Sequence, residues 1–153
     1  MSAERRYLRP PWFMLAIMNP VMRLLVGTFG LGGKGRAVLL TKGRRSGQWR
    51  RTPVNVLDLN GNRYLVAPRG ETDWVRNVRS HPEAQLVHGR RREEIRLTEV
   101  PNEEKAPILR AYLQRWGGEV RGMFDVPGAN ASDAQFAAIA ANHPVFQIER
   151  AGG

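Results

Sequence analysis

The chain has 153 residues, with 24 Lys and Arg against 14 Asp and Glu, a formal charge of +10 and no cysteine. That length suits one domain with a core of its own, and the lack of cysteine excludes disulfides, thiolate metal sites and a cysteine nucleophile. The positive charge selects anionic partners, whether nucleic acid, anionic lipid or a polyanionic small molecule, and its clustering at 44–51 and 90–96 marks sites rather than a diffuse halo.

Residues 1–9 are polar and basic, with Arg5, Arg6 and Arg9 beside Glu4. From Pro11 to Leu31 runs an apolar stretch containing Trp12, Phe13, Met14, Ile17, Met18, Met22 and Leu25. Asn19-Pro20 and Arg23 interrupt it, and Gly27 and Gly30 end it early, so it reads as one broken helix or two short ones rather than a membrane span. Such a helix packs over the core or over a ligand. Beside a basic N-terminus it also suits peripheral contact with an anionic membrane through residues 9–26. No secretory cleavage pattern follows, so the expected location is cytoplasmic, with any peripheral contact at the inner face of the membrane. The chain divides into this segment, 1–35, and a barrel domain, 36–153.

After the loop Gly32-Gly33-Lys34-Gly35 come strands at about 36–41, 50–59 and 62–68. Asn60-Gly61 is a two-residue hairpin signal, because both central residues need positive φ. Gly70 to Ser80 reads as a short helix stopped by His81-Pro82. Two more strands, 84–88 and 93–100, are joined through Gly89-Arg90-Arg91-Arg92, with Ile95 and Leu97 facing opposite to Arg96 and Thr98. A helix from Asn102 to Trp116 has Pro107 in its first turn and ends at Gly117-Gly118. Residues 119–131 read as loop, and Ser132-Asp133 can cap a helix running to Ala141. His143 to Glu149 forms a last strand, with Val145 facing away from Phe146 and Ile148. Six short strands with a few helices and no βαβ rhythm predict an α+β fold built on an antiparallel barrel.

The segment Thr41 to Pro53 concentrates the chemistry. Lys42, Arg44, Arg45, Arg50 and Arg51 crowd a hairpin hinged on Gly43 and Gly47. Glycine lets the backbone approach a ligand closely, and the Arg fork binds phosphate or carboxylate bidentately. Arg45 and Arg50 can reach one such group. The turn Ala67-Pro68-Arg69-Gly70 leads into a helix whose free N–H groups favour a second anionic or polar group. Trp74, Arg76 and Asn77 lie on that helix. The alternatives have less support. His81, His88 and His143 are scattered without metal-ligand spacing, Ser46 has no nucleophile-elbow context, and Gly43 to Gly47 lacks the Lys-Ser/Thr ending of a P-loop. The aromatics read as core or as part of the N-terminal helix rather than alternating with Arg along a strand, so nucleic acid rests on charge alone. A polyanionic cofactor remains, and with it the chemistry would come from the cofactor rather than from a protein acid or base.

Val38-Leu-Leu-Thr-Lys-Gly-Arg-Arg-Ser-Gly-Gln-Trp-Arg-Arg-Thr-Pro-Val54 and Tyr64-Leu-Val-Ala-Pro-Arg-Gly-Glu-Thr-Asp-Trp-Val-Arg-Asn-Val-Arg79 occur in order, and together they resemble the paired signatures of the deazaflavin-dependent nitroreductase family. Weaker likeness extends to 100–113 and 143–146. The resemblance implies a split, FMN-binding-like β-barrel that binds coenzyme F420. It also implies hydride transfer to a small hydrophobic electron acceptor: a quinone, an enone or a nitroaromatic. It implies that Arg45 and Arg50 hold the phosphate and polyglutamyl side of the cofactor. Thr52, Pro53, Ala67 and Pro68 match backbone around the ring, Arg69 and Gly70 the adjoining turn, and Trp74 and Asn77 the helix that closes the site. Arg51 and Arg76 are further contacts. The tyrosines that shape the pocket in relatives have no clear equivalents, residues 119–131 offering Met123 and Phe124 instead, and substrate would enter between the N-terminal helix and the 119–131 loop. Two other readings stay open on the same scaffold, a fatty-acid or lipid carrier and an FMN-dependent reductase.

Overall fold

The computed structural model describes residues 35–120 and 122–151. The expected N-terminal apolar helix, with its membrane contact at residues 9–26, lies outside them. Six antiparallel strands, β1 (Arg36–Lys42), β2 (Trp49–Leu59), β3 (Asn62–Val66), β4 (Glu83–His88), β5 (Arg91–Glu99) and β6 (Val145–Arg150), close into a barrel in the order β1-β2-β3-β6-β5-β4. Closure comes from β4 pairing back onto β1, with Leu39 opposite Leu86, so neither strand is left as an edge.

Strand alternation divides the apolar residues between two cores. Ala37, Leu39, Val56, Leu65, Leu86, Ile95, Leu97, Phe146 and Ile148 point inward and fill the barrel. Leu57, Val66 and Val145 point outward beneath two helices, α2 (Lys105–Val120) and α3 (Asp133–Ile139), which cover them with Ile108, Leu109, Tyr112, Leu113 and Phe136. Val145 thus belongs to one core while Phe146 and Ile148 belong to the other, as the alternation of the last strand requires.

The turns follow from local chemistry. Asn60 (φ 52°) and Gly61 (φ 82°) make the two-residue β2–β3 turn and set Leu59 opposite Asn62. The β4–β5 turn is tighter than expected. Gly89 at φ 57° reverses the chain with Arg90, so His88 pairs with Arg91, and Arg91 and Arg92 belong to the strand. β3 ends at Val66, because Ala67 N–H donates to Pro144 O at 2.9 Å and Gly70 N–H folds back onto Ala67 O at 3.1 Å. Gly70, at φ 90°, cannot open a helix, so α1 (Asp73–Ser80) begins three residues later than predicted.

Helix α2 runs past Gly117-Gly118, where the sequence places its end. Non-helical backbone at Trp116 (φ −123°, ψ 19°) bends the chain, and the added turn buries Val120 in the outer core. Trp116 itself packs on Tyr112 with ring centroids 5.1 Å apart. Met123 and Phe124, expected to line a substrate pocket, are instead buried in that same core, with Phe124 stacked on His143 at 4.1 Å. Ser132 caps α3 through a reciprocal box, Gln135 N–H to Ser132 Oγ at 3.1 Å and Ser132 N–H to Gln135 Oε1 at 2.8 Å.

The ends of the barrel are closed differently. Helix α1 inserts Trp74, Val75 and Val78 into the inner core at the end beside the β1–β2 hairpin, with Trp74 against Phe146 at 5.5 Å. At the other end Arg63 and Glu93, both on inward-facing positions, form a two-pronged pair at 3.0 and 2.6 Å. The hydrogen bonds from Arg63 hold the Glu93 carboxyl below its ordinary value of 4.5. Its stabilisation is therefore present above pH 4.5 and lost as pH falls through the depressed value. Glu93→Gln should lower the urea midpoint at pH 7, with the difference from wild type shrinking as the pH is taken progressively below 4.5. In the inner core, Leu39→Ala should cost about 3 kcal/mol in the same assay, from lost burial and the cavity left behind.

Candidate functional site

The six residues between β1 and β2 form a loop whose shape depends on Gly43. Its N–H donates to Gln48 O at 2.7 Å, while Gly47 N–H returns to Gly43 O at 2.9 Å. A Cβ at Gly43 would lie 2.8 Å from Ser46 Oγ and 3.1 Å from Gln48 O, so a larger residue would have to displace the serine hydroxyl and press on the loop backbone. Ser46 Oγ also accepts from Gln48 N–H at 3.1 Å.

Helix α1 fixes this loop through one side chain. Asn77 is buried, and its Oδ1 accepts from Arg44 N–H at 3.2 Å and from Arg44 Nη1 at 2.9 Å. Its Nδ2 donates to Thr41 Oγ1 at 3.3 Å. A second contact joins the same elements, Arg44 Nη2 to Asp73 Oδ1 at 3.6 Å, with the Asp73 carboxylate largely in solvent. On the far side of the helix, Arg79 bonds Glu99 at 3.0 and 2.7 Å and Glu71 at 2.6 Å, tying α1 to β5 and to the turn that precedes it.

Between this loop, the first residues of β2 and the N-terminal turn of α1 lies a cleft of about 710 Å³. It is lined by Arg44, Arg45, Arg50, Arg51 and Arg69, with Asp73 as the one acidic wall residue among those described. Gly43, Ser46, Trp49, Thr52, Thr72, Trp74 and Asn77 complete it. Antiparallel register places Arg50 opposite Thr41 and Arg51 opposite Leu40, so the two guanidinium stems leave opposite faces of β2. Arg69 is mostly buried, whereas Arg45, Arg50 and Arg51 are exposed. Five arginines thus border one cavity, an arrangement whose chemistry suits a multiply charged anion.

The cleft brings together Arg45, Arg50, Arg51, Thr52, Arg69, Trp74 and Asn77 from the residues singled out in the sequence. Pro53, Ala67, Pro68, Gly70 and Arg76 do not line it. Ala67 is buried with its N–H given to Pro144, and Arg76 points to solvent from α1. Asn77 touches the cleft, but its amide is engaged by Arg44 and Thr41, which makes it the support of the loop. Arg44, named among the hairpin cations, also lines the cleft, whereas sequence reasoning did not select Trp49, Thr72 or Asp73. Trp49 is half exposed at the start of β2, contrary to the expectation that the aromatics beyond the N-terminal helix are core. Thr72-Asp73 before an apolar turn is a helix-start signal that could have been read. Among the described residues no group of three or more His, Cys, Asp or Glu is arranged to hold a metal ion. No helix among them is long and apolar enough to cross a membrane.

A closed six-stranded antiparallel barrel with flanking helices is the α+β fold of F420-dependent reductases. The sequence profile of the F420H(2)-dependent quinone reductase family matches residues 17–123, and the chain belongs to that family. It is an F420-dependent oxidoreductase. No curated protein matches the sequence. Among solved structures the fold is similar to an F420-H2 dependent reductase (20% identity, TM-score 0.52, covering 76% of this chain and 95% of that one). It is also similar to a FAD-binding protein from Mesorhizobium loti (14%, 0.50, 79% and 82%) and a protein of unknown function from Agrobacterium tumefaciens (16%, 0.57, 95% and 58%). At these identities the likeness is one of fold.

Because the Asn77 amide joins α1 to the hairpin, Asn77→Leu should remove its bonds and strand the backbone N–H of Arg44. The expected loss is about 1–3 kcal/mol, read as a lower urea midpoint.

Proposed function

We propose that the cleft receives the phosphate and acidic tail of coenzyme F420 and that the enzyme delivers hydride to a quinone. The observation that carries this reading is the charge balance of the wall, five guanidinium groups against one carboxylate, around a loop already fixed by Gly43 and Asn77. The loop backbone and Arg44 are already held by hydrogen bonds, so the ordering cost of binding falls on the exposed side chains of Arg45 and Arg50. When bound, the reduced deazaflavin supplies a hydride, and the protein's part is to bind, orient and exclude water.

Arg45 and Arg50 would hold the phosphate and the tail, with Arg51 and Arg69 adding positive potential at either side. Arg44 acts differently: its guanidinium is tethered to Asn77 and lies near Asp73, so it shapes the loop as well as adding charge. Thr52 and Trp74 form wall. Pro53, Ala67, Pro68 and Gly70 lie beyond the cleft wall on the strand and turn that continue from it, where the ring would rest against backbone. Arg76, exposed on α1, is the outermost contact. The family to which the chain belongs favours a quinone over the enone and nitroaromatic acceptors.

Titration of purified protein with oxidised F420, followed by fluorescence, with FMN in parallel, tests the cofactor. Saturable binding of F420 and none of FMN is expected. Arg45→Ala and Arg50→Ala should each weaken F420 binding by about 1.5–3 kcal/mol, roughly 10- to 150-fold, if each loses a charge-assisted contact. Anaerobic oxidation of reduced F420 by a soluble quinone then tests the acceptor. Binding of FMN alone would move the protein to the flavin branch of the fold. Binding of neither, with a fatty acid co-purifying, would make it a carrier.

A further inference from the structure

Thr72 stands in the wall of the cleft at the start of α1. Its backbone is extended (φ −86°, ψ 174°), the conformation of a helix-capping residue. Threonine in that place ordinarily turns its oxygen onto a first-turn N–H. Here the side chain makes no capping bond, and its Oγ1 is buried with no hydrogen-bond partner among the described residues, in a residue only 5% exposed. The backbone groups on either side of this hydroxyl are engaged. Thr72 N–H donates to Gly70 O at 2.8 Å, and Thr72 O accepts from Arg76 N–H at 3.2 Å. A hydroxyl buried and unmet is costly, and beside it the first N–H groups of the helix lack intrahelical acceptors.

We propose that the Thr72 hydroxyl and the first-turn N–H groups of α1 form a subsite for one acceptor oxygen of the cofactor, so that Thr72 is a cofactor-binding residue and not a helix cap. This rests on the reading that the cleft binds F420. The electrostatic setting fits an oxygen acceptor. The helix N-terminus carries partial positive charge. Two carboxylates flank this end of α1, and each is offset by an arginine: Asp73 lies 3.6 Å from the Arg44 guanidinium, and Glu71 bonds Arg79 at 2.6 Å. The oxygen belongs either to a ring carbonyl of the deazaflavin or to the phosphate, and both present the same acceptor chemistry.

Thr72→Val keeps the shape and removes the hydroxyl, and Thr72→Ser restores it. Fluorescence titrations with F420 and with the phosphate-free deazaflavin riboside, together with the Tm of each cofactor-free variant, give the test. Thr72→Val is expected to weaken F420 binding roughly three- to tenfold while leaving the cofactor-free Tm unchanged or slightly raised, since only an unmet buried hydroxyl is removed. Thr72→Ser should recover affinity. An equal loss with the riboside assigns the oxygen to the ring, and an unchanged riboside affinity assigns it to the phosphate. Wild-type F420 affinity in Thr72→Val would overturn the inference. So would a clear fall in the cofactor-free Tm, whatever the affinity, because the hydroxyl would then be capping α1 in solution. A wild-type protein that binds no F420 would overturn the cofactor reading and this inference with it.

Discussion

The geometry of the cleft depends on α1 seating in one end of the barrel. Eight residues are too few to hold a helix in water, so its position is set by packing. Trp74, Val75 and Val78 enter the inner core with Phe146, and burying them fixes the rotation and depth of the helix. That same rotation presents Asn77 to the hairpin loop and sets Thr72 and Asp73 in the wall of the cleft. Core packing and site geometry are thus one constraint, and a substitution that loosened Trp74 would disturb the arginines without touching them.

The two arginine clusters of the sequence have different fates, and pairing decides between them. Along β4 and β5 the charges alternate across the strands. Arg96 bonds Glu83, Arg92 bonds Gln85, and Gln85 in turn bonds Glu94. That surface is a ladder of paired polar and charged groups in the sheet, in which Arg92 and Arg96 are taken up by neighbours. In the β1–β2 hairpin, by contrast, β1 carries no carboxylate and β2 carries only Asp58, near its far end. Of the hairpin arginines, Arg44 finds one among the described residues, on α1. Arg45, Arg50 and Arg51 lie exposed, and like-charge repulsion among them favours an anion between them.

Much of the barrel was legible because it is written locally. Asn60-Gly61 fixes a register, Ser132 with Gln135 fixes a helix start, and strict alternation along β5 fixes which side chains face inward. The errors lie where distant contacts override local signals. Helix α2 passes two glycines because Val120 finds a place in the core, and Met123 and Phe124 are drawn into that core from a stretch that reads as loop. The site was legible as a set of cations but not as an assembly. Nothing local distinguishes Arg44, tethered by Asn77 from 33 residues away, from its neighbour Arg45. Trp49 reads as core by residue type, yet it opens β2 at the cleft rim, half exposed. Placing the start of α1 at Gly70 concealed the capping position of Thr72.

The central claim is that one cleft, between the β1–β2 hairpin and the start of α1, holds the anionic part of the cofactor. A crystal structure of the complex with F420 tests it most directly. The account predicts the phosphate within hydrogen-bond distance of the Arg45 and Arg50 guanidinium groups, with the loop at Gly43 and the Arg44–Asn77 bonds unchanged. A phosphate bound elsewhere, with the arginines of the hairpin still in solvent, would contradict it.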